Sequence, residues 1–338
     1  MLHIVLLLSL MIEPTQTIKL ETNNRYLASA TFNRVQLGKD NTFMASAQYQ
    51  LWHWDENGKL INQLGAKGEG PGEVMFLGQV LWTGDYYWVI DSRKLQSSVF
   101  DKKGRYLYRK PLYYRQFVDI DGELFVLDYS KVNQMQGNYP PTLQKIELKI
   151  SETELRVTET PLLFKKVSEM QVKFSYNFKL LWGVREGDTY LIVDQLEPKQ
   201  WRYSPEVLAQ ESKVSLTEPF EPPSNPMQAS RWVDPPENGL PPNTGTDREF
   251  MRWWVSWSRV NFFGRLGEDY LLAYEVPNEE FDQESLQVVQ RIGKDGRAKG
   301  NSLVLEGAIM GVRDEMVYVF VEEDTEEGYA YYVHGYRI

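Results

Sequence analysis

Along most of this chain, apolar and polar positions alternate in short runs broken by Gly, Asp or Asn. That is the spacing of strands and tight turns rather than of helices. One unit recurs six times: an apolar strand, a turn holding Gly or Asp, then a second strand rich in Val, Leu and Tyr. The copies read VQLGKDNTFMAS (35–46), VLWTGDYYWVIDS (80–92), FVDIDGELFVLDYS (117–130), LLWGVREGDTYLIVDQ (180–195), NFFGRLGEDYLLAYEV (261–276) and AIMGVRDEMVYVFVE (308–322). Each predicts an antiparallel hairpin.

Measured by their turn acids, Asp40, Asp85, Asp121, Asp188, Asp269 and Asp314, the hairpins lie 45, 36, 67, 81 and 45 residues apart. The short intervals match one four-stranded propeller blade. A third strand follows each hairpin and tends to end in Asp with Gly three residues on, or a relic of it: WDENG (54–58), FDKKG (100–104) and IGKDG (292–296). Asp bonds the backbone just ahead of it and Gly accepts positive φ, so each of these predicts the turn from strand three to strand four.

Six such units, none able to bury its own faces, predict an all-β fold: a single six-bladed β-propeller of four-stranded antiparallel blades. The two long intervals are read as insertions at about 131–174 and 217–260. The second, rich in Pro and Trp, lies between blades four and five. Closure is expected from an N-terminal strand within 18–28 pairing with the last unit, 318–338.

Ahead of the repeats, Leu2 to Ile12 is an apolar stretch suited to the core of a signal peptide and too short to span a bilayer. Residues 1–17 are therefore read as a signal peptide and 18–338 as the propeller. The expected location is periplasmic or extracellular.

Two segments carry a resemblance. Trp88-Val89-Ile90-Asp91 through Val99-Phe100-Asp101-Lys102-Lys103-Gly104 resembles the NHL-type propeller repeat, with Gln96 where that repeat usually has Arg. The segment 65–74, GAKGEGPGEV, is similar to the linker between blades in the bacterial six-bladed β-propeller family of mostly exported proteins. The resemblance implies the propeller and export. It does not carry a function, because propellers host both binders and enzymes.

Composition narrows the chemistry. The 338 residues include 37 basic and 47 acidic side chains, a net charge of −10, which argues against a general phosphate-binding surface and hence against a nucleic-acid partner. No run is long enough for a membrane span, so an integral membrane protein is not expected. There is no Cys, which removes disulfides, thiolate metal sites and thiol nucleophiles. Of three His, His3 lies in the expected leader, leaving His53 and His334, too few for the several-histidine zinc site of amidating-lyase propellers. Neither sits beside a nucleophile elbow. His53, between Trp52 and Trp54, reads as a satisfied strand residue. No cofactor, metal or catalytic residue is assigned.

Asp91, Asp128 and Asp194, each just after the second strand of a blade, read as turn formers more than as ligands of a channel cation. The acidic run 322–328 reads as a solvated hairpin tip. Gly68 to Gly72 lacks the Gly-Lys-Ser/Thr of a phosphate loop and reads as a blade connection.

The segment Glu218 to Trp257 is the most suggestive. Phe250, Trp253, Trp254 and Trp257 fall at helical spacing behind a Thr246/Glu249 capping box, which predicts a short helix around 247–254. Arg231, Arg248, Arg252 and Arg259 add donors for an anionic or sugar ligand. Against this stands the reading of the aromatics as core, with Val255 to Phe263 already the first strand of blade five.

The expected contact residues are Arg231, Trp232, Arg252, Trp253 and Trp254. The expected function is an exported, non-catalytic module that binds a small molecule, glycan or protein. The alternatives are a metal-dependent hydrolase of lactonase type using channel carboxylates, and a structural part of a cell-envelope assembly.

Overall fold

The computed structural model describes residues 12–22, 35–47, 49–111, 116–127, 143–163, 181–194, 199–203, 215–219, 233, 252–253, 255–278, 285–326 and 328–338. The described backbone is strand and turn, apart from helical residues at Arg252, Trp253 and Val255.

A short strand β1 (Gln16–Lys19) precedes blade one, β2 (Val35–Leu37), β3 (Phe43–Ala47), β4 (Gln50–Trp54) and β5 (Leu60–Leu64). The linker pair β6 (Ala66–Lys67) and β7 (Glu73–Val74) leads to blade two, β8 (Leu77–Trp82), β9 (Tyr86–Asp91), β10 (Gln96–Asp101) and β11 (Tyr106–Lys110). Blade three is β12 (Gln116–Ile120), β13 (Glu123–Leu127), β14 (Leu143–Ile150) and β15 (Leu155–Leu163). Blade four is β16 (Leu181–Glu186), β17 (Thr189–Asp194), β18 (Lys199–Tyr203) and β19 (Ser215–Pro219). Blade five is β20 (Arg259–Leu266), β21 (Asp269–Pro277), β22 (Ser285–Ile292) and β23 (Ala298–Leu305), and the chain ends in β24 (Ala308–Arg313), β25 (Met316–Thr325) and β26 (Gly328–Arg337).

Six four-stranded sheets result, five in simple sequence order and the sixth in the order β1-β26-β25-β24. This is an all-β propeller of four-stranded antiparallel blades. In the sixth sheet the N-terminal strand lies beside the last one. Thr15 N–H donates to the carbonyl of Gly335 at 2.8 Å and Leu20 N–H to that of Tyr331 at 2.9 Å, so the N-terminal strand pairs with the last one as expected, but it starts at Gln16, ahead of the expected 18–28 and inside the span read as a leader.

The chain forms two compact units. One contains blades one to three, within Thr17–Val167, and the other contains blades four and five, within Ser168–Val319. In the first, β9 shows why middle strands read as unbroken apolar runs. Its Tyr87 and Val89 pack with Met44, Leu51 and Leu64 of blade one. Its Trp88 and Ile90 pack with Phe117, Val126 and Ile146 of blade three. Successive side chains thus enter two separate cores, the period of two expected for a strand covered on both faces. In the second unit, Trp182, Val184, Leu191 and Val193 of blade four pack against Val260, Phe263, Tyr270 and Leu272 of blade five.

The turn chemistry follows the repeats. Asp55 Oδ1 accepts from the N–H of Asn57 and Lys59, and Asp101 Oδ1 from that of Lys103 and Arg105, all within 3.0 Å. Gly58 and Gly104 both sit at φ +81°, and a Cβ on Gly104 would lie 2.5 Å from the Leu64 side chain. Glycine is required there both for its φ and for the close approach of blade one.

Two sequence expectations need restating. Asp269 is not a turn residue; it opens β21 with 4% exposure, its carboxylate held by Arg291 Nε and Lys299 Nζ, both at 2.7 Å. β14 and β15 fall within the span read as the first insertion, where they form the third and fourth strands of blade three. The intervening 128–142, with Asp128, and most of the expected leader lie outside the described residues.

Candidate functional site

The end of blade five at which β20 begins is built on a charged transverse row. Strand register places Arg259 opposite Glu275, and Glu275 opposite Gln287. A bulge between Val260 and Phe262 turns Asn261 onto the same group. The Glu275 carboxylate accepts from Arg259 Nη2, from Asn261 Nδ2 at 3.2 Å and from Ser285 Oγ at 3.2 Å. Gln287 Nε2 closes the network by donating to Asn261 Oδ1 at 3.0 Å.

Arg259 and Glu275 are 5% and 6% exposed. Burial pushes the Arg259 guanidinium below its ordinary range, and the charge of Glu275 opposes that shift. A buried pair is tolerated only when its remaining donors and acceptors are met, and here three side chains donate to Glu275, with Gln287 supporting one of them.

Val233 and the residues just ahead of β20 are held beside this row. Ser258 is fully buried and bonds Val233 twice: its N–H donates to the Val233 carbonyl, and its Oγ accepts from the Val233 N–H, both at 2.8 Å. A helical turn through Arg252, Trp253 and Val255 ends at Ser256, whose Oγ donates to the Trp253 carbonyl at 2.7 Å. Trp253 and Trp257 meet edge to face, with ring centroids 5.9 Å apart, and Trp257 lies under the Arg259 guanidinium at 5.9 Å.

Of the expected contact residues, Arg252 is exposed and Trp253 half-buried, side by side on the helical turn. Arg231, Trp232 and Trp254 lie outside the described residues, as do Thr246, Arg248, Glu249 and Phe250. Arg259 is corrected from a ligand donor to a structural cation, because Glu275 already takes its charge. Trp257, at 1% exposure, is core. The first strand of blade five starts at Arg259 rather than Val255.

Sequence reading missed Glu275, Asn261, Ser285 and Gln287. Each looks like an ordinary strand residue until register aligns them. A Glu in an otherwise apolar strand, YLLAYEVP (270–277), was the available signal.

A second buried polar row crosses blade one: Gln36, Met44, His53 and Asn62 stand opposite one another on β2, β3, β4 and β5. Three of them reach blade two. Gln36 Nε2 donates to the Val80 carbonyl at 3.1 Å, and Asn62 Nδ2 to Tyr87 Oη and the Lys102 carbonyl, both at 2.8 Å. His53 Nδ1 lies 2.6 Å from Tyr87 Oη. Tyr87 Oη thus takes the Asn62 donor and shares a short hydrogen bond with His53 Nδ1, while the buried His53 Nε2 has no hydrogen-bond partner among the described residues. Burial pushes His53 down to about 4, against the field of Asp40, and pushes Tyr87 up to about 12. His53 is a buried strand residue, as the sequence suggested, but only its Nδ1 is satisfied.

Among the described residues, no group of three or more His, Asp or Glu is placed to hold a metal ion, and no helix is long and apolar enough to cross a membrane. Asp91 is a turn former, engaged by backbone N–H groups. Asp194 is placed by its backbone alone.

Residues 6–78 match a family model described as a 6-bladed beta-propeller. Two solved structures share the fold. One is a candidate exported protein from Bacteroides fragilis, at TM-score 0.56 and 13% identity over 96% of this chain and 94% of that one. The other is a member of the DUF4221 family from Bacteroides vulgatus, at TM-score 0.56 and 10% identity over 96% and 98%. No curated protein matches the sequence. The chain thus resembles the six-bladed propellers of bacteria, and at these identities the solved structures speak to the fold.

Proposed function

We propose that this propeller is an exported, non-catalytic binding module whose ligand meets the 217–260 segment, with Arg231, Trp232, Arg252, Trp253 and Trp254 as the contact group. The observation that carries this reading is an exposed Arg252 next in sequence to a half-buried Trp253 on a turn that packs through Trp257 onto the Arg259–Glu275 network. Such support keeps a contact surface preorganised, which lowers the ordering cost of binding. A planar cation beside an indole suits an anionic sugar or a carboxylate-bearing group.

Titration of the protein with sulfated and uronic-acid oligosaccharides, followed by tryptophan fluorescence, tests it. Saturable quenching that Arg252→Ala weakens supports the reading. No change up to millimolar oligosaccharide sinks it.

Export is tested separately by cell fractionation and the N-terminal mass of the recovered protein. A cut that spares β1 falls before Gln16, slightly ahead of the boundary at 17 that the sequence suggested. Recovery from the cytoplasm with residues 1–12 intact would sink export.

A further inference from the structure

One end of blade two is a knot of three chain segments tied by a single buried carboxylate. Asp91 closes β9 at 3% exposure. Its Oδ2 accepts from Met75 N–H at 2.8 Å, and its Oδ1 from the N–H of Arg93 and Lys94, both at 3.0 Å. Ser92 N–H donates to the Phe76 carbonyl at 2.9 Å. The blade-to-blade linker joins the knot through its carbonyls: Lys94 Nζ reaches Gly68 O and Arg109 Nη2 reaches Gly70 O, both at 2.7 Å. Phe76 and the turn 92–95 are thereby held next to each other.

What this knot displays costs the fold something. Leu95 sits at φ +54° and is 57% exposed, more than any other large apolar side chain among the described residues, and Phe76 beside it is 39% exposed. The other described non-glycine residues at positive φ are Asn41, Asp121, Asp314 and Glu315, all polar. A leucine is the wrong residue for that turn on both counts, conformation and solvation, so its reason lies outside the fold.

The surroundings are basic in an acidic chain. Lys67 and Arg93 are exposed, with Lys94, Arg109 and Lys110 half-buried nearby; of the acids, Glu73 and Asp91 are turned onto backbone N–H groups and Glu69 is exposed in the linker, so cations outnumber free carboxylates.

We propose that this end of blade two docks on an anionic phospholipid surface. Leu95 and Phe76 enter the headgroup layer, and Lys67 and Arg93 meet lipid phosphates. The apolar part is two side chains at turn positions with a collar of cations. That is far below the area a stable protein interface needs, yet it is the pattern of interfacial insertion. The inference stands on blade two alone and is independent of the ligand surface proposed on blade five.

Co-sedimentation of the full chain with phosphatidylglycerol-containing vesicles, against pure phosphatidylcholine vesicles, tests it at low and high salt. Wild type and variants are run side by side, so that any contribution of the apolar N-terminus is common to all. Wild type is expected to bind the anionic vesicles, more weakly at high salt. Leu95→Asn, which suits the turn better, is expected to cut partitioning about tenfold without lowering Tm. Arg93→Gln is expected to cut it about fivefold and to flatten the salt dependence. The proposal is overturned if wild type ignores anionic vesicles, if Leu95→Asn binds them as wild type does, or if Leu95→Asn abolishes capture of a protein partner while vesicles are ignored.

Discussion

Blades one and five each bury a transverse row of polar side chains, and they do so by opposite means. In blade one the row is neutral: Gln36, His53 and Asn62 spend their hydrogen bonds on blade two, so the polar groups join neighbouring blades. In blade five the row is ionic and closes on itself: Arg259, Asn261, Ser285 and Gln287 all turn inward, directly or in relay, to Glu275. A neutral row tolerates the loss of one member, because what remains is a polar group rather than a charge. An ionic row does not, since removal of one partner leaves a charge in low dielectric. The contrast also separates the functions argued for the two places. The neutral row is blade-to-blade structure, whereas the ionic row is the floor under Trp257 and the helical turn at Arg252 and Trp253.

The largest expected effect tests the ionic row. Glu275→Ala leaves Arg259 buried beside Trp257 with no counter-charge, and should cost about 3–5 kcal/mol in urea denaturation. Replacing both partners, Arg259→Met with Glu275→Leu, should recover most of that loss. A cost for Glu275→Ala under about 1 kcal/mol would mean that water reaches the pair and that the contrast between the rows is false.

The neutral row should answer to pH through His53. His53 has a folded pKa of about 4 against 6.5 when unfolded, so below 6.5 the unfolded chain binds the extra proton. Its contribution is complete above pH 6.5 and is lost as pH falls toward 4, amounting to about 3 kcal/mol. His53→Gln should flatten the stability profile between pH 6.5 and 4 relative to wild type. Parallel profiles would show that His53 is solvated.

A smaller effect belongs to Asn62. Asn62→Ala removes the donor to Tyr87 Oη and to the Lys102 carbonyl, at the half-exposed end of the row, and should cost about 1 kcal/mol. A loss as large as that of Glu275→Ala would erase the distinction between neutral and ionic rows.

These two rows also mark what the sequence could tell. Hairpins and turns were legible because their signals are local. Asp followed by Gly at 55/58 and 101/104 becomes the same turn with glycine at the same φ, and β9 reads as apolar because both its faces are covered. The candidate site was half legible. Trp253, one of the aromatics at helical spacing, does lie in a helical turn, the rest of the expected helix 247–254 apart from Arg252 being outside the described residues, yet Arg259, six residues on, looked like another ligand donor. Its partner is 16 residues away across a hairpin, and pairing of that kind depends on register and on one bulge, neither of which has a local signature. Leu95 escaped notice for a related reason, since its meaning lies in a φ value that a leucine does not announce.

The smallest expected effect on stability is also the one that divides floor from surface. Arg252 is exposed and follows no strand register, whereas Arg259, seven positions later, is buried in the row. If the 217–260 segment rests on the ionic row without adding to it, Arg252→Ala should shift the denaturation midpoint by an amount worth under about 0.5 kcal/mol. The same substitution should weaken oligosaccharide quenching several-fold, since an Arg that contacts ligand is felt in binding and not in folding. Trp253, half-buried against Trp257, should behave between the two: Trp253→Ala should cost about 1–2 kcal/mol and also reduce quenching. A loss of stability for Arg252→Ala as large as for Trp253→Ala would place Arg252 in the floor, and the contact surface would then have to be sought among residues of the segment other than this helical turn.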